Sequence, residues 1–379
     1  MWIKVVKKKK NIALKIRIYP NKSQRIMIDK NIGCTRYMYN HLLAMYNETK
    51  KIASYKEVYN DDNKFLLESD TSSYSNEQVK LKSAIKNHYN NPSHFGSPTY
   101  KSKHNKKQSY TTSVTNNNSR VLDNKHIRIP KVGVINAKVH RLFGNNYKLK
   151  SVTISKEVDY KYYASLLYEY EEELIENQND SLFTHVLGID YSQDKLGVLS
   201  TGEYLEYPKY LLKSMDNLKE LQKKLSRCIL HSNNWYKRKL ELARIHIKIR
   251  NQRKDYLNKL AKNMSLRFDV IVIEDLDLQE MSKNHHLGKK IYDNSYGMFI
   301  NKLGYKLEQS NKTLLKVDRY FPSSKLCSKC GNMKNDLKLS DRTYTCNCGN
   351  IIDRDYNASL NIAMEGIKIL AEQAIAINI

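Results

Sequence analysis

The chain has 379 residues and a formal net charge of +26, because 65 Lys and Arg residues stand against 39 Asp and Glu residues. A charge of this size favours polyanionic partners and speeds their association, but it carries no information about the fold. The N-terminus lacks the apolar core of a signal peptide, and no run reaches the roughly 18 apolar residues of a membrane span. We therefore expect a cytoplasmic protein of two or three domains without membrane contact.

The first half predicts a mixture of strands and helices. Residues 1–20 indicate a strand, and Asn21 is a plausible cap for a following helix that we expect to be interrupted near Gly33. Apolar residues alternate over 125–141 and 151–174, which predicts strands.

The second half has a different pattern, in which short apolar strands alternate with long helices. It begins after a polar stretch at 176–182 that indicates a domain boundary. A short apolar strand ends at Asp190, and a second ends at Glu274. Long helices are predicted over 213–262, and an amphipathic helix is predicted over 356–375. This alternation of strands and helices favours an α/β domain, preceded by a separate domain of mixed α+β type.

The helical stretch 213–262 is rich in cations with few anions among them. A solvated helix face would explain part of this excess, but its size favours a surface that binds phosphates. The candidate nucleic-acid-binding residues are Lys237, Arg238, Arg244, Lys248, Arg250 and Arg253, together with Lys101 and Lys103 from the basic loop 99–107.

Four of the six cysteines form a metal-type cluster: Cys327, Cys330, Cys346 and Cys348. Gly331 and Gly349 follow the two pairs and allow tight turns beneath a metal ion. Four thiolates suit a structural Zn²⁺ and leave no open position for catalysis, with an iron–sulfur cluster as the alternative. Cys34 and Cys228 stand alone in helical segments and are expected to be ordinary half-buried residues.

Carboxylates follow apolar runs at three places: Asp190, Glu274 with Asp275, and Asp353 with Asp355. A single acid of this kind is usually a cap or an ion-pair partner. Three clusters gathered at strand ends would repel one another unless cations such as Mg²⁺ or Mn²⁺ neutralised them. Strand alternation places Glu274 and Asp275 on opposite faces, so only one of them can enter a shared site, whereas the choice between Asp353 and Asp355 stays open.

The motifs VLGID, VIVIEDLDLQEM and PSSKLCSKCGNMK…YTCNCGNIIDRDYNASLNI resemble the three split RuvC motifs and the zinc ribbon of the TnpB family. These proteins are RNA-guided nucleases encoded by insertion sequences and related to type V CRISPR effectors. IRIYPNKSQ and IRIPKVG resemble patterns of the family's first half. Two departures are Asp277, where the family more often has Asn, and the short CNC spacer.

The resemblance implies an RNase H-like (RuvC) nuclease domain with an inserted zinc ribbon, preceded by a β-barrel wedge domain that carries a helical recognition lobe. The implied boundaries are 1–20 and 119–180 for the wedge domain, 21–118 for the recognition lobe, 181–324 for the RuvC domain, 325–350 for the ribbon that binds target nucleic acid, and 351–379 for the last RuvC motif and the C-terminal helix.

The resemblance also selects Asp190, Glu274 and Asp355 as the catalytic triad, which would bind two Mg²⁺ or Mn²⁺ ions. One protein would bind one element-derived guide RNA in the prokaryotic cytosol or nucleoid. It would cleave double-stranded DNA beside a short flanking motif, leaving 5′-phosphate ends, and so help to maintain a transposable element.

Three alternatives stay open from the sequence. A guided repressor without nuclease activity would lack the acids, which are present here. A compact type V CRISPR effector would use similar chemistry with a CRISPR-derived guide. A cut-and-paste transposase would also use an RNase H-like acidic site, but the ribbon placed just before the last acid argues against it.

Overall fold

The computed structural model describes residues 4–59, 61–104, 108–176, 185–283, 288–338 and 340–377. The chain divides into two compact units, Met1–Gln178 and Asn179–Ile379. Most of the polar stretch predicted as a domain boundary, 176–182, lies outside the described residues. The finer division into wedge domain, recognition lobe, nuclease domain and ribbon stays a prediction.

The N-terminal unit is built on a seven-stranded antiparallel sheet, in the order β2-β6-β7-β1-β5-β4-β3. Its strands are β1 (Lys4–Tyr19), β2 (Gln108–Ser113), β3 (Arg120–Val121), β4 (His126–Ile129), β5 (Gly133–Lys138), β6 (Tyr147–Lys156) and β7 (Tyr162–Glu176). Alternate residues of β1, namely Leu14, Ile16 and Ile18, are buried, as expected for a strand with one face on a core. β2 and β3 stand at the two ends of the strand order, and closure of this sheet into a barrel stays a prediction.

Two helices and a 3₁₀ helix complete this unit: α1 (Lys22–Thr49), the 3₁₀ helix (Asp61–Glu68) and α2 (Ser72–Asn90). The prediction that Asn21 caps α1 is confirmed, since its side chain accepts a hydrogen bond from the Gln24 backbone N–H at 2.9 Å. The predicted interruption at Gly33 is wrong, because α1 continues through it. A glycine costs a helix only about 1 kcal/mol, and burial of neighbours such as Ile32 and Met38 outweighs that cost.

The sheet also includes residues that the sequence places in the recognition lobe. β2 pairs with β6 from Gln108 opposite Lys156 to Ser113 opposite Ser151.

The C-terminal unit contains a five-stranded sheet in the order β10-β9-β8-β11-β12. Its strands are β8 (Val186–Asp190), β9 (Gly197–Leu199), β10 (Tyr204–Leu205), β11 (Val270–Glu274) and β12 (Thr313–Val317). β8, β11 and β12 run parallel, whereas β9 and β10 are antiparallel to their neighbours. Because β8 and β11 are parallel and adjacent, the carboxyl ends that carry Asp190 and Glu274 lie at the same edge of the sheet.

Six helices are described in this unit: α3 (Tyr210–Ser226), α4 (Asn233–Arg267), α5 (Leu278–Lys283), α6 (Gly288–Asn294), α7 (Tyr296–Gln309) and α8 (Arg354–Ile377). The long helices predicted over 213–262 are confirmed as α3 and α4, and the C-terminal helix is confirmed as α8. None of the helices in the described part of the chain is long and apolar enough to cross a membrane.

Helix α8 packs directly on strand β8 at Gly188. A Cβ atom at this position would lie 2.1 Å from the Ser359 carbonyl oxygen and 2.7 Å from the Ala363 backbone nitrogen, both in α8. Only glycine therefore permits this approach of helix and strand. The small hairpin of β13 (Thr343–Thr345) and β14 (Ile351–Asp353) leads directly into α8.

We expect the substitution Gly188→Ala to destabilise the C-terminal unit by about 3 kcal/mol, because the new methyl group meets backbone atoms that cannot move aside. Calorimetric unfolding should show a transition lowered by roughly 10 °C. Gly33→Ala is the matched control, since a Cβ atom there has nothing within 4 Å and should stabilise α1 slightly. An unchanged transition in Gly188→Ala would contradict the described packing of α8 on β8.

Candidate functional site

The three predicted catalytic carboxylates line one cleft of about 380 Å³ in the C-terminal unit. Asp190 is the last residue of β8, Glu274 is the last residue of β11, and Asp355 lies in the first turn of α8. The two strands supply their acids from adjacent positions at one sheet edge. Packing of α8 on β8 brings the third acid to the same place.

The surroundings of the cleft disfavour the ionised forms of Asp190 and Glu274, the two acids at the strand ends. Burial raises the pKa of Asp190 well above its usual range, and the charges of Glu274 and Asp355 raise it further. Burial also raises the pKa of Glu274, although the Ser323 hydroxyl, which donates to its Oε1 at 2.6 Å, acts in the opposite direction. The ionised acids would thus be stabilised by any cation that entered the cleft.

Asp355 is held by a cation of its own helix. The Arg354 guanidinium donates two hydrogen bonds to Asp355 Oδ1, from Nε at 3.1 Å and from a terminal nitrogen at 2.9 Å. Arg342 lies 4.0 Å from Asp355 Oδ2, and its side chain is largely exposed. One oxygen of Asp355 is therefore directed by Arg354, while positive charge flanks the other.

The neighbouring acids have other partners. Asp275 forms an ion pair with Lys316 at 2.7 Å, and Arg319 lies 4.0 Å from it. Asp353 accepts a hydrogen bond from the Tyr356 backbone N–H at 2.9 Å, as a helix cap does. Neither residue lines the cleft that holds Asp190, Glu274 and Asp355.

Several cleft residues escaped the sequence reasoning: Ser323, Lys338, Arg342 and Arg354 all line it. Ser323 lies in the PSSKLC motif, and Arg354 separates the two aspartates of DRD. Their positions within these motifs were the sequence feature that could have identified them as residues of the site. A further residue, Tyr296, is buried, and its hydroxyl has no hydrogen-bond partner among the described residues. Burial raises its pKa, and the nearby charges of Asp190 and Glu274 raise it further.

Two buried asparagines of α8 form hydrogen bonds with the backbone of the segment 323–328, which leads into the first cysteine pair. The Asn361 side chain donates to the carbonyl oxygens of Ser323 at 2.7 Å and Leu326 at 2.8 Å. Asn357 donates to the Leu326 carbonyl at 2.6 Å and accepts from the Ser328 backbone N–H at 3.0 Å. The helix that supplies Asp355 thus also positions Ser323, the partner of Glu274.

The four predicted metal-binding cysteines come together. Their sulfur atoms all lie within 4.8 Å of one another, with 3.7 Å between Cys327 and Cys348 and 3.6 Å between Cys330 and Cys346. Zn–S bonds of about 2.3 Å in a tetrahedron place sulfur atoms about 3.8 Å apart. The donor set and spacing of these four cysteines therefore fit a Zn²⁺ ion and the predicted zinc ribbon.

The local backbone supports this centre. Gly331 and Gly349 have φ angles of +75° and +84°, the left-handed conformation that the predicted turns require. Burial acts to raise the pKa of the Cys327 thiol, but hydrogen bonds from the Lys329 backbone and the Asn350 amide outweigh it and lower the pKa to about 6.

The Cys330 thiol shifts the opposite way: a hydrogen bond from the Asn332 backbone lowers its pKa, but hydrogen bonds with the thiols of Cys348, Cys346 and Cys327 raise it to about 12. The four thiols thus share protons at close range, and a metal ion that bound them would displace those protons.

The predicted nucleic-acid-binding residues of α4 have different surroundings. Lys237, Arg244, Lys248 and Arg250 are exposed. Arg238 pairs with Glu241 at 2.8 Å. Arg253 is largely buried. It forms an ion pair with Asp293 at 3.4 Å and donates a hydrogen bond to the Tyr207 hydroxyl at 3.3 Å, so its charge is paired within the C-terminal unit.

The two candidates of the basic loop 99–107 also differ. Lys101 forms an ion pair with the buried Glu77 and lies 3.9 Å from the centre of the Tyr39 ring. Its charge is therefore already paired within the N-terminal unit. Lys103 is exposed, and residues 105–107 of the loop lie outside the described residues.

Family sequence models match three parts of the chain in order. One described as a helix-turn-helix domain matches residues 10–51, one described as a probable transposase of the OrfB type matches 165–285, and one described as a Cas12f1-like TNB domain matches 296–362. Relatives align over nearly the whole chain. One from Streptomyces pristinaespiralis, with the provisional name RNA-guided DNA endonuclease, is 29% identical over 94% of this chain and 89% of its own length.

The chain is similar to proteins of the TnpB type along nearly its whole length. InsQ of Escherichia coli K12, which carries the same provisional name, is 27% identical to it over 95% of this chain and 93% of the relative. Among solved structures, the cryo-EM structure of a Cas12f1–sgRNA–target DNA complex matches with a TM-score of 0.60. The match covers 94% of this chain and 99% of that one at 13% identity. The chain thus has a mixed α/β fold like that of Cas12f1.

We expect the purified protein to contain about one zinc ion per chain, measured by plasma mass spectrometry. Cys346→Ser should lose the metal and lower the stability of the ribbon, because three ligands hold Zn²⁺ more weakly than four and the ribbon has little apolar core besides Tyr344. Cys228→Ser, at a cysteine outside the cluster, is the control and should retain full zinc content. Full occupancy in Cys346→Ser, or iron in the wild type, would contradict a four-cysteine zinc centre.

Proposed function

We propose that this protein is an RNA-guided DNA endonuclease of the TnpB type that hydrolyses phosphodiester bonds in the cleft formed by Asp190, Glu274 and Asp355. The observation that carries the proposal is the convergence of these three carboxylates from two strand ends and a helix. Relatives of near-equal length carry the name RNA-guided DNA endonuclease, and the structure with the same fold is titled as a complex with guide RNA and target DNA.

The donor set of the cleft fits divalent cations. Carboxylate oxygens are the ligands that Mg²⁺ and Mn²⁺ prefer, and burial makes the charges of Asp190 and Glu274 costly without a cation. The hydroxyl of Tyr296, buried near both acids and without a hydrogen-bond partner among the described residues, is a further polar group that a hydrated ion could satisfy. Asp190, Glu274 and Asp355 would hold such cations, which when bound would supply activation of water and charge stabilisation for hydrolysis of a phosphodiester.

The residues of the chain have separate tasks in this proposal. Asp190, Glu274 and Asp355 hold the cations, and the Ser323 hydrogen bond fixes the orientation of Glu274. Arg354 directs Asp355 into the cleft. Lys338 and Arg342 project from the ribbon into the same cleft, where they would bind backbone phosphates of the strand being cut and keep its scissile bond near the acids.

The finer features implied by the family complete the proposal. The strand order β10-β9-β8-β11-β12, with its antiparallel β9 and β10, supports an RNase H-like nuclease domain, and the N-terminal sheet would form the wedge barrel. The exposed cations of α4 would contact the guide RNA or its duplex with target DNA. The guide would derive from the transposable element, with one protein per guide RNA, and pairing with the target would supply sequence specificity.

A type V CRISPR effector is the second candidate, favoured by the Cas12f1 fold and by the relative named Cas12f1 from Sulfoacidibacillus thermotolerans. That relative is 30% identical, but over only 26% of this chain. Sequencing the RNA that copurifies with the protein distinguishes the two guide sources. A guided repressor without cleavage is disfavoured because all three acids line the cleft.

We expect Glu274→Gln to reduce cleavage by at least about a hundredfold, because it removes one charge from a proposed metal ligand set. The assay is metal-dependent cleavage of a plasmid that matches the copurifying RNA. Asp275→Asn is the matched control, since it removes the same charge one residue away, outside the cleft, and should retain activity close to wild type. Equal loss in both variants, or guided cleavage that survives in Glu274→Gln, would contradict the proposed site.

A further inference from the structure

Helices α3 and α4 form a hairpin whose distal part has no buried residue. The last buried residue of α3 is Leu218, and the first of α4 is Ile249. All of residues 219–248 are described, and each is half-buried or exposed. We call this part of the hairpin the arm.

The two helices of the arm pack against each other through a narrow row of half-buried apolar residues. Leu221 and Leu225 of α3, with Leu240, Ala243 and Ile247 of α4, are half-buried and lie at helical spacing on one face of each helix. A pair of helices with so little buried surface gains little from packing. The arm therefore presents most of its surface to a partner or to solvent.

The end of the arm is apolar. Ile229 and Leu230 lie in the turn between the helices and are 83% and 65% exposed. His231 follows in the left-handed conformation at φ +66°, which non-glycine residues seldom adopt. At the start of α4, the Tyr236 ring is 49% exposed and packs edge-on against Trp235, with ring centres 5.0 Å apart. We call Ile229, Leu230, His231, Trp235 and Tyr236 the tip cluster.

Cations flank this apolar cluster in the sequence: Lys223, Lys224, Arg227, Lys237, Arg238 and Lys239. Lys239 lies 4.4 Å from the centre of the Trp235 ring. The acids of the arm, Glu220 and Glu241, pair with Lys224 and Arg238 respectively, so positive charge is in excess. Such a surface attracts phosphates, and its apolar groups suit a partner that offers flat apolar faces next to phosphates.

We propose that the tip cluster binds unpaired nucleobases of a single-stranded nucleic-acid segment, with the flanking cations on its phosphates. Bases of a duplex are stacked on one another, so only unpaired bases expose the faces that Tyr236, Ile229 and Leu230 can contact. The inference rests on the proposed function in that the unpaired segments of a guide RNA would supply this ligand. A second copy of the chain is disfavoured as occupant, because two such cationic tips would repel each other.

The test uses the full-length protein, stripped of copurifying RNA and kept in EDTA, and measures fluorescence anisotropy with two probes. One is a single-stranded oligo-U RNA of about 20 nucleotides, and the other is a blunt RNA duplex of the same length. The variants are the double substitution Ile229→Ser with Leu230→Ser, and Tyr236→Ala. The control is Leu266→Ser, because Leu266 lies on the same helix far from the tip and is 71% exposed.

The tip variants should weaken binding of the single strand about tenfold and leave duplex binding within about twofold, while Leu266→Ser binds both probes like the wild type. Unchanged single-strand affinity, or equal weakening for both probes, would overturn the proposal. So would sedimentation showing a wild-type dimer that the tip variants convert to monomer, since the tip would then contact a second copy. Absence of guided cleavage in the wild type would instead count against the proposed function and leave the tip result intact.

Discussion

The candidate site depends on the direct contact between helix α8 and strand β8. Gly188 lets the backbone of α8 approach so closely that no side chain would fit between them. Because β8 ends at Asp190 and α8 begins at Arg354, this contact brings the start of the helix to the end of the strand. The third carboxylate, Asp355, reaches the cleft for this reason, although it lies far along the chain from the other two.

The same helix connects the cleft to the zinc ribbon. Asn357 and Asn361 bind backbone groups of the segment 323–328, which contains both the serine that orients Glu274 and the first ribbon cysteine. Lys338 and Arg342, which line the cleft, lie in the segment between the two cysteine pairs. A metal that stabilises the ribbon would therefore also limit the motion of cleft residues, which gives the adjacency of cysteines and acids in CNCGNIIDRDYN a structural reason.

Buried carboxylates with raised pKa values are costly to the metal-free protein. Asp190 and Glu274 lose hydration in the cleft, and Asp190 is further disfavoured by the charges of its neighbours. The charge of Arg354 offsets part of this cost at Asp190. An arrangement that raises the energy of the empty site is typical of a site that gains stability when a cation binds.

Much of this arrangement was predictable from sequence because it depends on local patterns. Short apolar runs marked the strands that end at Asp190 and Glu274, and strand alternation predicted that only one of Glu274 and Asp275 could enter a shared site. The choice between Asp353 and Asp355 was not accessible to residue pattern alone, because it depends on α8 starting at Arg354, so that Asp353 caps the helix.

Other features depend on tertiary packing and left no local signal. Gly33 was predicted to interrupt α1, but the helix is continuous because the residues on either side of this glycine are buried. Lys101 and Arg253 looked like phosphate ligands in a basic context, but Glu77 and Asp293 pair with them within the fold. The approach of α8 to Gly188 is a contact between distant segments, so nothing in the motif VLGID alone reveals it.

The central claim is that Asp355, and not Asp353, joins Asp190 and Glu274 in one cation site. Titration of Mn²⁺ into the zinc-loaded protein, followed by electron paramagnetic resonance, measures this directly. The account predicts Mn²⁺ binding to the wild type and to Asp353→Asn with similar affinity, and binding at least about tenfold weaker in Asp355→Asn. Binding of Mn²⁺ to Asp355→Asn as tight as to the wild type would contradict the account.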